Sequence, residues 1–145
     1  MKVLLHTNML IAAIVETHPH HPKASPWLVK VKNKEAEGVV GAHSLAEVYS
    51  TLTKLPVHPK IPPALAEQLI LRNIFPHFEI IELTKDDYHT VLHVLAANNI
   101  EGGATYDALI CHAAFKSQVD RLYTFNVKHF KRVYPPVSHI VEEPN

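Results

Sequence analysis

The side chains of this chain that are best suited to chemistry lie far apart in the sequence, each where an apolar run meets a helical pattern. They are the imidazole of His6, the carboxylates of Glu47 and Asp107, and the amide of Asn126, with the Thr124 hydroxyl two residues before it. Carboxylate and amide oxygens suit hard cations such as Mg²⁺ or Mn²⁺. Such a cation orients water and neutralises charge on a phosphodiester. Brought together, these groups would favour phosphodiester hydrolysis.

Each of these positions also has a purely structural explanation. Glu47 follows Ser44 by three residues, the spacing of a helix capping box. A carboxylate such as Asp107 in the first turn of a helix favours the helix dipole. An asparagine such as Asn126 suits a turn at a strand end. No single residue therefore identifies a site, and the chemistry depends on their convergence.

Alternating strand and helix patterns predict the elements that would position these side chains. Apolar runs predict strands at 2–5, 39–42, 79–83 and 122–125, with an edge strand at 138–141. Caps and apolar spacing predict helices at 8–16, from 25, from 44, at 64–75, from 84 and at 105–116, then a short basic helix. This alternation predicts a three-layer α/β/α domain with a mainly parallel sheet of four to five strands, covering 1–145 as a single domain. The carboxyl ends of such strands are where ligand sites gather.

Composition sets the class of protein. The chain has 145 residues, 47% of them hydrophobic and 19% charged, which predicts a globular domain with a sizeable core. The single cysteine, Cys111, excludes an internal disulfide and fits a reducing compartment. No apolar run reaches the roughly 18 residues of a membrane span, and His6 interrupts the apolar start without a convincing signal-peptide cleavage site after it. We therefore expect a cytoplasmic protein.

Charge gives only a local case for nucleic-acid binding. The formal net charge is zero, so the chain has no overall attraction for polyanions. Lys128, Lys131 and Arg132 nevertheless crowd the last helix, as either a solvated face or a rim that steers phosphates. No GxGxxG or GxxxxGK[ST] loop is present, which counts against a generic nucleotide-binding domain.

Two groups of histidines have a density or spacing similar to that of metal ligands. His18, His20 and His21 lie among prolines in a predicted loop, and the favoured interpretation is loop decoration. His89 and His93 are four residues apart on a predicted helix, which suits a metal pair. Because no HExxH pattern accompanies them, a solvated or partly buried face is favoured.

The order and the residue sequences of four segments resemble the PIN-domain family, and within it the VapC-like toxins of toxin–antitoxin pairs. The segments are Leu4-Leu5-His6-Thr7-Asn8, Ser44-Leu45-Ala46-Glu47, Ala104-Thr105-Tyr106-Asp107-Ala108-Leu109-Ile110 and Tyr123-Thr124-Phe125-Asn126-Val127-Lys128-His129-Phe130. The resemblance covers essentially the whole chain. It implies an endoribonuclease that uses Mg²⁺ or Mn²⁺ to hydrolyse RNA, forms a homodimer and binds a cognate antitoxin.

The resemblance also implies roles for individual residues. Position 6, Glu47 and Asp107 correspond to metal-binding positions. Asn126 corresponds to a residue that holds a metal-bound water or the substrate, and Thr124 to a hydroxyl that orients the acidic cluster. Asn8, after the first acidic position, is expected to support the end of the first strand.

His6 is the departure, because the family has aspartate there. An imidazole offers one neutral nitrogen in place of two oxygens and a negative charge, so Mg²⁺ should bind worse while Zn²⁺ or Mn²⁺ suffers less. A protonated His6 would instead sit as a cation beside Glu47 and Asp107 and fill the electrostatic role of a metal. Reduced or lost activity follows, and a catalytically silent PIN-fold scaffold for RNA or a protein stays open. So does the question whether His6 is natural or an inactivating variant.

Apolar helical residues around a proline-rich loop complete the expectations. Trp27, Tyr49, Leu52, Leu69 and Ile70 offer more apolar surface than a single core needs, although core packing is the favoured fate of any one of them. Together with the resemblance, this surface predicts a homodimer.

Overall fold

In a computed structural model, which describes residues 1–145, five parallel strands form one sheet in the order β3-β2-β1-β4-β5. The strands are β1 (Lys2–Leu5), β2 (Glu37–Gly41), β3 (Phe78–Ile81), β4 (Arg121–Tyr123) and β5 (Val141–Glu142). The central strand β1 pairs with β2 on one side and with β4 on the other. Because all pairings are parallel, the carboxyl ends of the strands lie at one edge of the sheet.

Seven α-helices and one 3-10 helix connect the strands. They are α1 (Thr7–Ile14), α2 (His21–Lys32), α3 (Ala42–Lys54), α4 (Pro63–Asn73), α5 (Lys85–Ala97), α6 (Ala104–Ser117), α7 (Val127–Val133) and the 3-10 helix Pro135–Ile140. The predicted three-layer α/β/α class with a parallel sheet is confirmed. No helix is both long enough and apolar enough to cross a membrane.

The continuous apolar runs of the strands reflect burial on both faces of the sheet. In β1, Val3 and Leu5 pack into one core cluster and Leu4 into the other, as the two-residue period of a strand requires. Helices α1 to α4 cover the first face, and α5 to α7 cover the second. This double coverage leaves the carboxyl edge of the sheet as the place where polar side chains meet solvent.

Several predicted boundaries were wrong for local reasons. Helix α2 begins at His21 and not at residue 25, because Pro22 fits the first turn, where a missing N–H costs nothing. The segment predicted as an edge strand at 138–141 is mostly 3-10 helix, which two prolines initiate, and the strand follows at Val141–Glu142.

Leu52 and Ile70, proposed as part of an assembly surface, are buried in the core of the chain itself.

Candidate active site

The predicted chemical residues lie together in one open cleft of about 360 Å³ at the carboxyl edge of the sheet. His6 follows β1, Asn126 follows β4, Glu47 projects from α3 and Asp107 from the first turn of α6. Asn8, from the first turn of α1, also lines the cleft. The remaining lining residues are Thr7, Ile11, His18, Thr51 and Leu55.

Thr124 is fully buried beneath the cleft, and its hydroxyl contacts His6. The Thr124 oxygen accepts hydrogen bonds from the backbone N–H of Asn126 at 3.0 Å and from the Asn8 side-chain amide at 3.3 Å. His6 Nδ1 lies 2.9 Å from the same oxygen, and the Thr124 hydroxyl has two acceptors within reach, His6 Nδ1 and the Asn8 amide oxygen at 3.5 Å. When Thr124 donates to Nδ1, the shorter contact, the proton of neutral His6 is on Nε2.

Asp107 is held by two histidines, one at each carboxylate oxygen. His6 Nε2 lies 3.6 Å from Oδ1, and His129 Nε2 lies 2.9 Å from Oδ2. Arg132 donates to His129 Nδ1 at 3.3 Å, which leaves the His129 Nε2–H to point at the carboxylate. Burial raises the pKa of Asp107, but hydrogen bonds from His6 and His129 outweigh it, and the pKa lies below its ordinary value. Asp107 is therefore an anion with one close N–H partner, His129, and a longer contact to His6.

Glu47 faces α1 and does not cap its own helix. The Thr7 hydroxyl donates to Glu47 Oε1 at 2.7 Å and also lies 3.1 Å from the Ser44 hydroxyl. Helix α3 begins at Ala42, and no side chain caps its N-terminus, so the predicted capping box of Ser44 and Glu47 is wrong. The other carboxylate oxygen, Oε2, is 4.0 Å from His43 Nε2 and is therefore the less closely contacted of the two.

The side chains do not fit a hard divalent cation as they are arranged. Two carboxylates and two amides face the cleft, but no three His, Cys, Asp or Glu side chains gather in a metal-binding group. His6 Nε2 presents a hydrogen toward Asp107, and a metal would need a lone pair at that atom. Histidine at position 6 thus changes the donor set of the cleft.

A second, basic groove of about 480 Å³ adjoins the cleft through Asn126, which lines both. Lys128, His129 and Arg132 form the rest of its lining. Lys131 is exposed on the same helix, α7, but does not line the groove.

Sequence reasoning missed three histidines that the fold brings to this region. His129 bonds Asp107, His43 lies beside Glu47, and His18 lines the cleft, although its segment was interpreted as loop decoration. The His129 contact had a signal, since this residue follows Asn126 by three on a helix that begins at the sheet edge. His43 also had one, since it precedes Glu47 by four residues on α3. His18 had none, because its position depends on tertiary packing. His89 and His93 are exposed on α5.

Comparison with known proteins agrees with this architecture. The PIN domain family matches residues 3–135 of the chain. Ribonuclease VapC27 of Mycobacterium tuberculosis is 31% identical over 114 residues, which cover 79% of this chain and 77% of that protein. Ribonuclease VapC40 of the same species is 30% identical over 104 residues, or 72% of each chain. These matches extend over most of the chain.

Solved structures share the fold at lower identity. VapC20 of Mycobacterium tuberculosis, described as a sarcin–ricin loop cleaving toxin, superposes with a TM-score of 0.70 at 14% identity, over 91% of this chain and 95% of that chain. VapBC2 of Rickettsia felis, bound to a fragment of promoter DNA, superposes with a TM-score of 0.67 at 23% identity over the whole of both chains.

The chain belongs to the PIN-domain family, and within it to the VapC ribonucleases of toxin–antitoxin systems. Ribonucleases of this family generally depend on a divalent metal. In this chain the side chain at position 6 is an imidazole, whose Nε2 lies 3.6 Å from Asp107 Oδ1.

Proposed function

We propose that the chain is an endoribonuclease toxin that hydrolyses RNA phosphodiester bonds in the cytoplasm, with Mg²⁺ or Mn²⁺, and that His6 reduces or abolishes its activity. The observation that carries the proposal is the meeting of Glu47, Asp107 and Asn126 around His6 in one cleft. Two of the three family carboxylate positions remain acidic. The third is an imidazole that faces Asp107.

The chain's own residues give this cleft three functions toward RNA. The carboxylates of Glu47 and Asp107 would attract a cation that accompanies a phosphate, although the imidazole of His6 makes the cleft a poor site for a hard one. The amide of Asn126 would hold a phosphate oxygen or a water molecule by hydrogen bonding. Lys128 and Arg132 in the adjoining groove, with Lys131 nearby on α7, would neutralise neighbouring phosphates. This local charge is needed because the net charge of the whole chain is zero. Single-stranded or loop RNA is the expected form of substrate, because an A-form duplex hides its base edges.

A second candidate function is that of a catalytically silent scaffold that binds RNA or a protein. The observation in its favour is the pairing of His6 with Asp107, because the imidazole lies on the side of the carboxylate from which a cation would bind. A scaffold of this kind would keep the shape and the anions of the cleft without chemistry.

The test is RNA cleavage by the wild-type chain and by His6→Asp, each with Mg²⁺ and with Mn²⁺. Restoring a hard anionic ligand should raise cleavage by about tenfold or more, and Asp107→Asn in the His6→Asp background should abolish it. Wild-type activity should be greater with Mn²⁺ than with Mg²⁺, since Mn²⁺ tolerates a nitrogen ligand better. If His6→Asp gains no cleavage on any RNA tested, the scaffold is the function.

The proposed partners are a second copy of the chain and a cognate antitoxin. An apolar surface between α3 and α4 supports the homodimer, since Tyr49, Leu71 and Phe75 are exposed there beside Leu45. Light scattering at tens of micromolar should give twice the monomer mass, and Leu71→Glu should give the monomer. A monomeric wild-type chain would contradict the assembly.

An antitoxin would place a basic side chain against Glu47 or Asp107, where an arginine pairs bidentately.

A further inference from the structure

Three aromatic rings form a row from the turn after β4 to the wall of the cleft. His20 stacks on Phe125 with ring centroids 4.3 Å apart and planes at 17°. His18 follows, with its ring 5.8 Å from that of His20, and lines the cleft together with His6 and Asp107. The row therefore begins beside the Thr124–Asn126 turn and ends next to the acidic groups.

Backbone hydrogen bonds hold this row in place. The N–H of His20 donates to His18 Nδ1 at 3.0 Å, so neutral His18 carries its proton on Nε2. His21 Nδ1 donates to the Ala12 carbonyl at 2.8 Å, which ties the segment to α1. The N–H of Phe125 donates to the Asn8 amide oxygen at 3.4 Å. Hydrogen bonds to Ala12 and to Asn8, both in α1, therefore hold both ends of the row.

The surroundings of His18 favour its uncharged form, which suits stacking on a flat ring. Burial lowers the pKa of His18, and the neighbouring His20 and His21 lower it further. The uncharged imidazole then presents a π-face and one N–H donor. The other ring nitrogen is already occupied by the backbone of His20, so the segment does not offer its histidines as a set of metal ligands.

We propose that His18, backed by His20 and Phe125, is a nucleobase-stacking subsite for single-stranded RNA beside the acidic groups of the cleft. The proposal rests on the proposed RNA function and adds the position at which a base is bound. Single-stranded RNA is recognised by stacking of unpaired bases on aromatic side chains, histidine included. Asn126 belongs to both the cleft and the basic groove, so a strand whose phosphates follow Lys128 and Arg132 passes Asn126 and brings a base to His18.

The experiment measures equilibrium binding of a short fluorescein-labelled oligoadenylate by fluorescence anisotropy, in EDTA so that the RNA is not cleaved. A second probe of the same length lacks the bases and keeps the phosphates. The variants are His18→Ala, His18→Phe and the matched control His93→Ala, whose side chain is exposed on α5. Thermal unfolding of each variant checks that it is folded.

Stacking predicts a pattern across the two probes. His18→Ala should weaken binding of the oligoadenylate about tenfold, the size expected for one stacked base, and should leave the weaker binding of the abasic probe unchanged. His18→Phe keeps a ring at this position and should bind within about twofold of wild type. His93→Ala should match wild type with both probes.

Each other outcome has a definite meaning. If wild type and His18→Ala bind the oligoadenylate equally, the stacking subsite is overturned and the proposed RNA function stands. If His18→Ala weakens both probes alike, His18 contacts the backbone and the stacking subsite is again overturned. If the wild-type chain binds neither probe, the proposed RNA function fails and the subsite with it.

Discussion

Two clusters in this protein join a histidine to a hydroxyl and a carboxylate, and only one of them lines the cleft. Each cluster contains one residue of α6, and these two residues are five positions apart. At the sheet edge, His6 lies between the Thr124 hydroxyl and Asp107, the α6 residue of this cluster. In the other cluster, His112 of α6 lies between the Tyr134 hydroxyl, 2.8 Å from Nδ1, and Asp87, 3.1 Å from Nε2. In each cluster a histidine bridges a hydroxyl and a carboxylate.

The difference lies in how completely each carboxylate is bonded. Asp87 accepts from Lys116 at 2.7 Å and from the backbone N–H of Thr84 at 2.8 Å, in addition to His112. These bonds tie the first turn of α5 to the middle of α6. Asp107 has one good bond, from His129, and a long contact of 3.6 Å to His6. A carboxylate whose oxygens are fully hydrogen-bonded stabilises a fold, whereas an incompletely bonded carboxylate at a cleft retains capacity for a ligand.

The largest effect should come from breaking the bonded cluster. Asp87→Ala removes the acceptor of the Thr84 N–H from the capping box of α5, leaves His112 Nε2 without its acceptor and leaves Lys116 only the Glu82 carbonyl, so the free energy of unfolding should fall by about 2–4 kcal/mol. Asp107→Ala should cost about 1 kcal/mol or less, because its bonds are fewer. Urea denaturation measures both. Equal losses would remove the distinction between a structural and a ligand-binding cluster.

The next effect tests the ligand capacity of the open cluster. His6→Asp places three carboxylates together, so this variant should melt below wild type in EDTA. At a Mg²⁺ concentration about ten times its dissociation constant, binding should stabilise His6→Asp by about 1.4 kcal/mol, or roughly 3–5 °C. The wild-type chain should shift by less than about 1 °C. Adding Asp107→Asn to His6→Asp should abolish the shift, and a shift that survives would place the cation elsewhere.

Acid should separate the clusters by a smaller amount. The hydrogen bond from Lys116, followed by that from the Thr84 backbone, holds the pKa of Asp87 well below its ordinary value. The stabilisation by this carboxylate is therefore complete above the unfolded pKa and is lost as pH falls through the lower folded pKa. From about pH 5 to pH 2, wild type should lose at least about 1 kcal/mol more stability than Asp87→Asn.

The control for this profile is Asp86→Asn, an exposed neighbour in the same first turn of α5. Its unfolding free energy should follow pH as the wild-type chain does. A steep profile that persists in Asp87→Asn would mean that other carboxylates govern acid unfolding.

The smallest effect concerns the antitoxin. Replacing its basic residue at the cleft by alanine should weaken binding less for the wild-type chain than for His6→Asp, because His6 removes one anion from the cluster. Contacts with Trp27 and the neighbouring apolar helices should then carry more of the affinity. Calorimetry should resolve a difference of about 1 kcal/mol between the two losses. An equal or larger loss in wild type would mean that His6 leaves the field of the cleft unchanged.

A pair of similar sequence motifs shows how far the sequence predicts this structure. Thr84 and Asp87 form the capping box that their local spacing favours, and α5 begins where expected. Ser44 and Glu47 have a comparable spacing, but their side chains turn to Thr7, a partner about forty residues away. Local patterns thus predicted the parallel α/β class and most elements, since strands buried on both faces are continuously apolar.

The detailed contacts of the cleft were less predictable. The residues that meet there were identified from the order and wording of their segments, whose resemblance spans the chain. The N–H direction of His6 depends on how many donors reach the Thr124 oxygen, and the position of His18 depends on its backbone bond to His20. Both are properties of packing that spacing along the chain does not encode.

The central position of β1 has a consequence for synthesis of the protein. His6 bonds Thr124 across 118 positions of sequence, because β1 pairs with β4. A ribosome makes β1 early, yet the strand that completes its second edge, together with Thr124 and Asn126, emerges only after most of the chain. Such long-range parallel pairing also forms slowly. A nascent chain that ends before β4 therefore lacks Thr124 and Asn126, and its cleft is not assembled.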